Sequence, residues 1–252
     1  MEPTQSEVIA EMNRIVDAAR DAQIHLRVIG GLAVHFHSPR FRRSEFCRDY
    51  ADIDFVVRKH DRRKLEPFFR DFGYIGDRRF NLANGDRRQL YVNPQTGRHI
   101  DIFVGDFEMC HKLPLRDRLD AHPVTVPLAE LLLSKTQIVQ LNRKDALDLV
   151  ALLLDNELGF QDESKIDLDR VLRLCRRDWG LYKTTSINLK RIEDLLQHDN
   201  PGLSEHDTEI ILRRIAQIRK ALQGMPTNIL WKARDRVGTR LRWYTEVEEI
   251  ER

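Results

Sequence analysis

The first part of the chain combines helical and strand patterns of apolar residues. Apolar side chains recur at helical intervals from Val8 to Ala19, which predicts an amphipathic opening helix. The β-branched run at 24–29 predicts a strand that stops at a glycine pair, and a short helix is predicted from Leu32. Helix and strand patterns therefore alternate from the beginning of the chain.

Three further strand patterns follow. One is predicted at 52–57, and Asp61 stands where it can cap the helix after it. The apolar runs 89–92 and 99–104 flank the turn-forming residues Asn93–Gly97, which is typical of a β-hairpin with a longer loop.

After Pro127 the strand patterns fade and helical periodicity takes over. Helices are predicted at 128–140, 144–155, 168–175, 187–197 and 207–223. We therefore predict an α/β (α+β) fold with a mixed sheet in a first domain, 1–125, followed by an α-helical C-terminal domain, 126–252.

Composition narrows the class of protein. The 42 basic and 40 acidic residues leave a net charge of only +2, so composition alone does not indicate a nucleic-acid binder. The apolar stretches are too short to cross a bilayer, and Met1–Glu7 does not resemble a secretory signal. The three cysteines are widely spaced, which argues against a disulfide framework. We expect a cytoplasmic protein without a membrane span.

Three aspartates are the candidate catalytic and metal-binding residues. Asp52 and Asp54 lie two apart on a predicted strand, so their carboxylates share one face, about 6 to 7 Å apart. Asp101 is an acid within the apolar second arm of the hairpin. Such carboxylates are costly unless a cation or another partner compensates them. The alternatives are a solvated strand end for Asp52 and Asp54, and a structural salt bridge to an arginine for Asp101.

The glycine pair Gly30-Gly31 closes the strand that precedes the acidic one. Glycines at such a turn let backbone amides approach a phosphate closely. The alternative is an ordinary tight turn.

This order of motifs resembles the polymerase-β-type nucleotidyltransferase superfamily. The matching segments are 28–31, 48–57 and 99–103, in which a strand with a glycine pair precedes an Asp-x-Asp strand and a later acidic strand. The resemblance implies a nucleotidyltransferase fold. It also implies that Asp52, Asp54 and Asp101 hold two Mg²⁺ ions for transfer from a nucleoside triphosphate.

The helical half is similar to bacterial abortive-infection, or type IV toxin–antitoxin, nucleotidyltransferase-like proteins. The similarity lies in 131–138 and 143–149. It implies that Lys135 contacts nucleotide phosphates and that Asp145 supports the site. The alternatives are a helix lysine that extends its charge to solvent and an acid favoured by a helix N-terminus.

Two basic segments are candidates for binding phosphate or RNA. Four arginines precede the acidic strand. Arg48 is predicted to bind the phosphates of the nucleotide. The other three, Arg40, Arg42 and Arg43, are interpreted as residues of a solvated loop. The segment 231–244 interleaves basic and aromatic residues, which suits single-stranded nucleic acid but is more often a packing tail.

The resemblance implies an enzyme that transfers a nucleoside monophosphate from NTP to an acceptor hydroxyl. The acceptor is expected on tRNA or other RNA, on a protein or on a small molecule, and an antitoxin protein is a further candidate partner. The alternative is a non-catalytic nucleotide- or RNA-binding regulatory module that retains the fold. The presence of all three acids favours the enzyme.

Overall fold

The computed structural model describes residues 5–40, 50 and 52–247. The chain divides into two compact units. The first unit falls within Met1–Phe36, Cys47–Phe107 and Pro114–Pro127, and the second within His37–Phe46, Glu108–Leu113 and Leu128–Arg252. The division of the sequence into 1–125 and 126–252 stays a prediction.

The first unit is built on a five-stranded mixed sheet. Its strands are β1 (Leu26–Ile29), β2 (Asp52–Val57), β3 (Ile75–Gly76), β4 (Arg88–Val92) and β5 (His99–Val104), in the order β1-β2-β5-β4-β3. β2 and β5 are parallel, whereas the other neighbouring strands are antiparallel. The predicted hairpin is β4 and β5. The structure confirms the predicted mixed sheet.

Four helices accompany this sheet along the sequence: α1 (Gln5–Asp21), α2 (Gly30–His37), α3 (Leu65–Asp71) and α4 (Arg78–Asn84). Phe69 of α3 lies 6.4 Å from Phe55 and 4.9 Å from Tyr91, measured between ring centroids. Ile53, Phe55, Ile100 and Ile102 are fully buried. Because side chains alternate along a strand, this apolar face is opposite the face that carries Asp52, Asp54 and Asp101.

The prediction that Asp61 caps a helix is wrong. Asp61 lies inside a 3-10 helix, Lys59–Lys64, before α3 begins at Leu65. Its fully buried carboxylate instead accepts a hydrogen bond from the backbone N–H of His25, at 3.1 Å. His25 lies 36 positions before Asp61 in the sequence. A pattern that identifies helix starts from neighbouring residues therefore cannot predict this contact.

The short elements β3 and α4 were not predicted. Asp77 caps α4 by accepting a hydrogen bond from the backbone N–H of Phe80 at 2.9 Å. The two-residue strand β3 is too short to show alternation, and its pairing with β4 defines it.

The remaining elements are mostly helical, as predicted. Along the sequence come β6 (Phe107–Glu108), β7 (Lys112–Leu113), α5 (Leu128–Thr136), α6 (Arg143–Asp155), β8 (Leu158–Gly159), β9 (Ile166–Asp167), α7 (Leu168–Arg177), α8 (Trp179–His198), α9 (Glu205–Gly224), α10 (Ile229–Val237) and a 3-10 helix, Gly238–Arg240. Within the described residues, every helix falls short of the length or apolar character that crossing a bilayer requires.

α5 ends earlier than its apolar pattern predicts. The side-chain amide of Asn188 donates to the carbonyl oxygens of Thr136 and Ile138, at 2.8 and 2.7 Å. Arg191 donates to the carbonyl of Val139 at 2.9 Å. These contacts from α8 satisfy the carbonyl of the last residue of α5 and two carbonyls just beyond it, where the chain leaves the helix at Thr136 rather than at 140.

Candidate active site

The three predicted acids lie on one face of two neighbouring strands. β2 and β5 pair in parallel with Asp52 opposite His99 and Asp54 opposite Asp101. Residues directly opposite each other on neighbouring strands point to the same side of the sheet, and the strands are about 4.8 Å apart. Asp52 shares this face with Asp54 because it lies two positions earlier. The three acids therefore share one face of neighbouring strands, as predicted, whereas their convergence on a shared metal site stays a prediction.

Gly30 brings the chain backbone directly against the Asp54 carboxylate. It follows β1, in which Ile29 lies opposite Asp54, and it adopts a φ of +76°. A Cβ atom at this position would stand 2.3 Å from Oδ2 of Asp54. Both the backbone conformation and the close approach require glycine here. Gly31 is buried in the first turn of α2.

Arg88 holds the Asp101 carboxylate with two hydrogen bonds. Nε donates to Oδ1 at 2.8 Å, and Nη2 donates to Oδ2. The guanidinium also lies 5.0 Å from the centre of the Phe103 ring. Asp101 is only 2% exposed, so this is a largely buried ion pair. The structural salt bridge that was the alternative for Asp101 is therefore present, and a cation bound at Asp101 has to share the carboxylate or displace Arg88.

The charges of the site stabilise the guanidinium. Burial lowers the pKa of Arg88, but the hydrogen bonds and charge of Asp101 and the charge of Asp54 outweigh burial and raise it. Arg88 was missed in the sequence analysis. The signal was available, because Leu90 lies opposite Asp101 and Arg88 lies two positions away on the same face of the hairpin.

The predicted nucleotide-binding arginine, Arg48, lies outside the described residues, as do Arg42 and Arg43. Arg40 is described and belongs to the second unit. Its Nε donates to Oδ1 of Asp155 at 2.6 Å, and its Nη2 donates to the carbonyl of Leu154 at 2.8 Å. Arg40 thus contacts the end of α6, but its side chain stays 54% exposed, which agrees with its interpretation as a solvated loop residue.

Lys135 and Asp145 meet within the second unit. The Nζ atom of Lys135 lies 2.8 Å from Oδ1 of Asp145 and 2.8 Å from Oδ2 of Asp148. Lys135 is only 8% exposed, so it does not extend its charge to solvent. Burial lowers its pKa, but the charges of Asp148 and Asp145 outweigh burial and raise it. Asp148 was missed, although its i, i+3 spacing from Asp145 on α6 places both acids on one face.

The basic and aromatic C-terminal segment packs on its own unit. The Arg234 guanidinium lies 4.1 Å from the centre of the Trp179 ring, and the indole N–H of Trp243 donates to Oγ1 of Thr184 at 3.0 Å. The backbone N–H of Thr245 donates to the carbonyl of Cys110 at 3.0 Å. These contacts agree with the alternative interpretation of this segment as a packing tail.

No protein-family model matches the sequence, and no curated protein was found that matches it. Several solved structures are similar to the chain, including the two that follow. The solution structure of the antibiotic-resistance factor ANT(2'')-Ia aligns over 77% of this chain and 98% of its own, with 14% sequence identity and a TM-score of 0.44. An antigenic nucleotidyltransferase-like protein from Paracoccidioides brasiliensis aligns over 93% of this chain and 100% of its own, with 12% identity and a TM-score of 0.43. At these values the likeness assigns no activity, acceptor or metal to the chain.

The steric role of Gly30 can be separated from its backbone conformation. Gly30→Ala combines a positive φ with a Cβ atom 2.3 Å from Asp54, whereas Gly97→Ala combines a φ of +68° with open space. We expect Gly97→Ala to cost about 1–2 kcal/mol for the left-handed conformation and Gly30→Ala to cost more. Urea unfolding of both variants measures the difference, and equal losses would contradict the close contact between Gly30 and Asp54.

The Arg88–Asp101 pair can be tested by removing the guanidinium. Arg88→Met leaves the buried carboxylate of Asp101 without its two donors, so we expect the free energy of unfolding to fall by about 3 kcal/mol. The exposed neighbour Arg87→Met is the matched control, with an expected change within about 0.5 kcal/mol. Similar unfolding curves for the two variants would show that the ion pair does not stabilise the sheet.

Proposed function

We propose that the chain is a magnesium-dependent nucleotidyltransferase, which moves a nucleoside monophosphate from NTP to an acceptor hydroxyl. The observation that carries this proposal is the common sheet face of Asp52, Asp54 and Asp101, with the Gly30 turn against Asp54. Carboxylate oxygens are the ligands that a hard divalent cation prefers, so the donor set fits Mg²⁺. Asp52, Asp54 and Asp101 would hold two such ions. When bound, the ions supply charge neutralisation on the phosphates of the NTP.

The residues of the chain provide the remaining steps. Asp101 accepts the proton as the acceptor hydroxyl loses it, and the acceptor oxygen forms a bond to the α-phosphorus. The bond between the α-phosphorus and the bridging oxygen of pyrophosphate breaks, and pyrophosphate leaves. Arg88 keeps Asp101 in place before the substrates arrive. The backbone of Gly30-Gly31 at the start of α2 offers N–H groups to a phosphate.

Arg48, Lys135 and Asp145 are proposed to bind the nucleotide. For Lys135, binding a phosphate would require weakening its two ion pairs, which the sequence did not indicate. A phosphate would compete with Asp145 and Asp148 for the ammonium group, which lies 2.8 Å from both carboxylates. The acceptor is proposed to be tRNA or another RNA, a protein or a small molecule, and a toxin role with an antitoxin partner is part of the same proposal.

One observation favours a second candidate function. Because Arg88 already neutralises Asp101, the same arrangement suits a non-catalytic module that binds nucleotide or RNA without transferring it. The two functions differ in whether Asp101 is available to a substrate hydroxyl.

Transfer of label from nucleotide to acceptor separates the two functions. The full chain is incubated with Mg²⁺, each α-labelled NTP and total cellular RNA, protein or small-molecule antibiotic acceptors. We expect transfer by the unmodified chain and a loss of about 100- to 10,000-fold in Asp101→Asn, because a positioned base is removed. Asp17→Asn, on the exposed surface of α1, is the matched control and should retain full activity.

Nucleotide binding completes this test. Mg²⁺ with NTP should raise the melting temperature of the unmodified chain, since a ligand of the folded state stabilises it. The combined change Asp52→Asn and Asp54→Asn should abolish this rise, whereas Asp101→Asn should largely retain it. Nucleotide binding without transfer to any acceptor class would support the binding module and contradict the enzyme.

A further inference from the structure

A second cluster of ligating side chains lies at the opposite end of β1 and β2 from the acidic site. His25 directly precedes β1, and His60 and Asp61 belong to the 3-10 helix that follows β2. The antiparallel register pairs Leu26 with Val57 at this end and Ile29 with Asp54 at the other. Three residues of strand separate the two ends, a distance of about 10 Å. The cluster is therefore distinct from the proposed active site.

The donor atoms of this cluster have the spacing of a metal site. Nδ1 of His25 lies 3.3 Å from Oδ2 of Asp61, and Nε2 of His60 lies 3.4 Å from the same oxygen. All three donor atoms lie within 4.8 Å of one another. In a tetrahedral zinc site with bonds of about 2.0–2.1 Å, donor atoms are about 3.3–3.4 Å apart. Two of the separations already match this geometry.

We propose that His25, His60 and Asp61 bind a transition-metal ion of the Zn²⁺ class, with a fourth position left for water. Two imidazoles and one carboxylate form a donor set that favours Zn²⁺, Co²⁺ or Ni²⁺ over Mg²⁺. The first unit would then carry two chemically different cation sites. The ion would join the start of β1 to the 3-10 helix that follows β2, and so fix one end of the strand pair.

Asp61 is held ready to bind a cation. Its carboxylate is fully buried, its Oδ2 accepts from the backbone N–H of His25, and its Oδ1 lies 2.7 Å from Nζ of Lys64. These contacts fix the position of the carboxylate before any ion arrives.

Asp120 provides support behind the first ligand. Its Oδ1 lies 3.8 Å from Nε2 of His25, the ring nitrogen that faces away from Asp61, and Arg58 donates to its other oxygen. Histidine ligands commonly give their second ring nitrogen to a carboxylate, which fixes the tautomer. With a metal bound, a hydrogen bond from Nε2 of His25 to Asp120 would leave Nδ1 unprotonated to bind the ion.

The exposed side chain of His60 is the ligand that can move to complete the metal site, and it is also the ligand best suited to mutation. Its side chain is 67% exposed, so it can move toward His25 at little cost. Its replacement is also expected to leave the fold intact. A hydrogen-bonded cluster of two histidines around Asp61 without a metal is the competing account, and the two accounts differ in metal affinity.

Metal binding is measured on the full chain after removal of metals with a chelator. Titration with Zn²⁺ by calorimetry should give one tight site per chain, and Co²⁺ should develop the visible absorption of tetrahedral coordination. His60→Ala should weaken Zn²⁺ binding by at least about 100-fold, since losing even an outer partner costs about 10–100-fold. Asp120→Asn should weaken it by about 10–100-fold. The exposed His206→Ala in α9 is the matched control and should bind as the unmodified chain does.

Two results would overturn the proposal. One is equal Zn²⁺ affinity in the unmodified chain and in His60→Ala, with both melting alike in the absence of metal. The other is the absence of a tight Zn²⁺ site in the unmodified chain, which would leave the hydrogen-bonded cluster as the account. Retention of Zn²⁺ binding in the combined Asp52→Asn and Asp54→Asn variant is expected, because the acidic site is separate.

Discussion

The parallel pairing of β2 with β5 is the constraint on which the candidate active site depends. It places Asp54 opposite Asp101 and puts Asp52 on the same face, while Ile53, Phe55 and the alternate residues of β5 anchor the opposite face. A shift of this register by one residue would turn the acids into the apolar face, where unpaired carboxylates are costly. The packing of the core and the chemistry of the site are therefore fixed by the same strand register.

Concentrating acids on one sheet face requires positive charge, and the structure supplies it at Asp101 through Arg88. The same guanidinium is the natural competitor of a cation at that carboxylate. The activity proposed for this chain thus depends on a balance between an internal ion pair and a bound ion. At the other end of β1 and β2, the ammonium group of Lys64 neutralises Asp61 through Oδ1. The second oxygen of Asp61, Oδ2, faces the imidazoles of His25 and His60.

Local patterns predicted what depends on neighbours in sequence. The strand at 52–57 and the hairpin of β4 and β5 follow from alternation and turn residues, and the helices after Pro127 follow from periodicity. Contacts between segments distant in sequence could not be predicted in this way. The side chain of Asn188 binds the carbonyl of Thr136, where α5 ends earlier than predicted. The carboxylate of Asp61 accepts a hydrogen bond from the backbone of His25 instead of capping a helix. The Arg88–Asp101 pair could be predicted only in part. The hairpin register places Arg88 beside Asp101, but only the structure shows the hydrogen bonds between them.

The most direct test of the acidic site is anomalous diffraction from crystals of the full chain grown with Mn²⁺ and a non-hydrolysable NTP analogue. Mn²⁺ accepts the same oxygen ligands as Mg²⁺ and can be located by its own scattering. The account predicts Mn²⁺ peaks at the oxygens of Asp52, Asp54 and Asp101, with the Arg88 guanidinium moved from at least one oxygen of Asp101. An unchanged Arg88–Asp101 pair, with Mn²⁺ and nucleotide bound elsewhere or not at all, would contradict it.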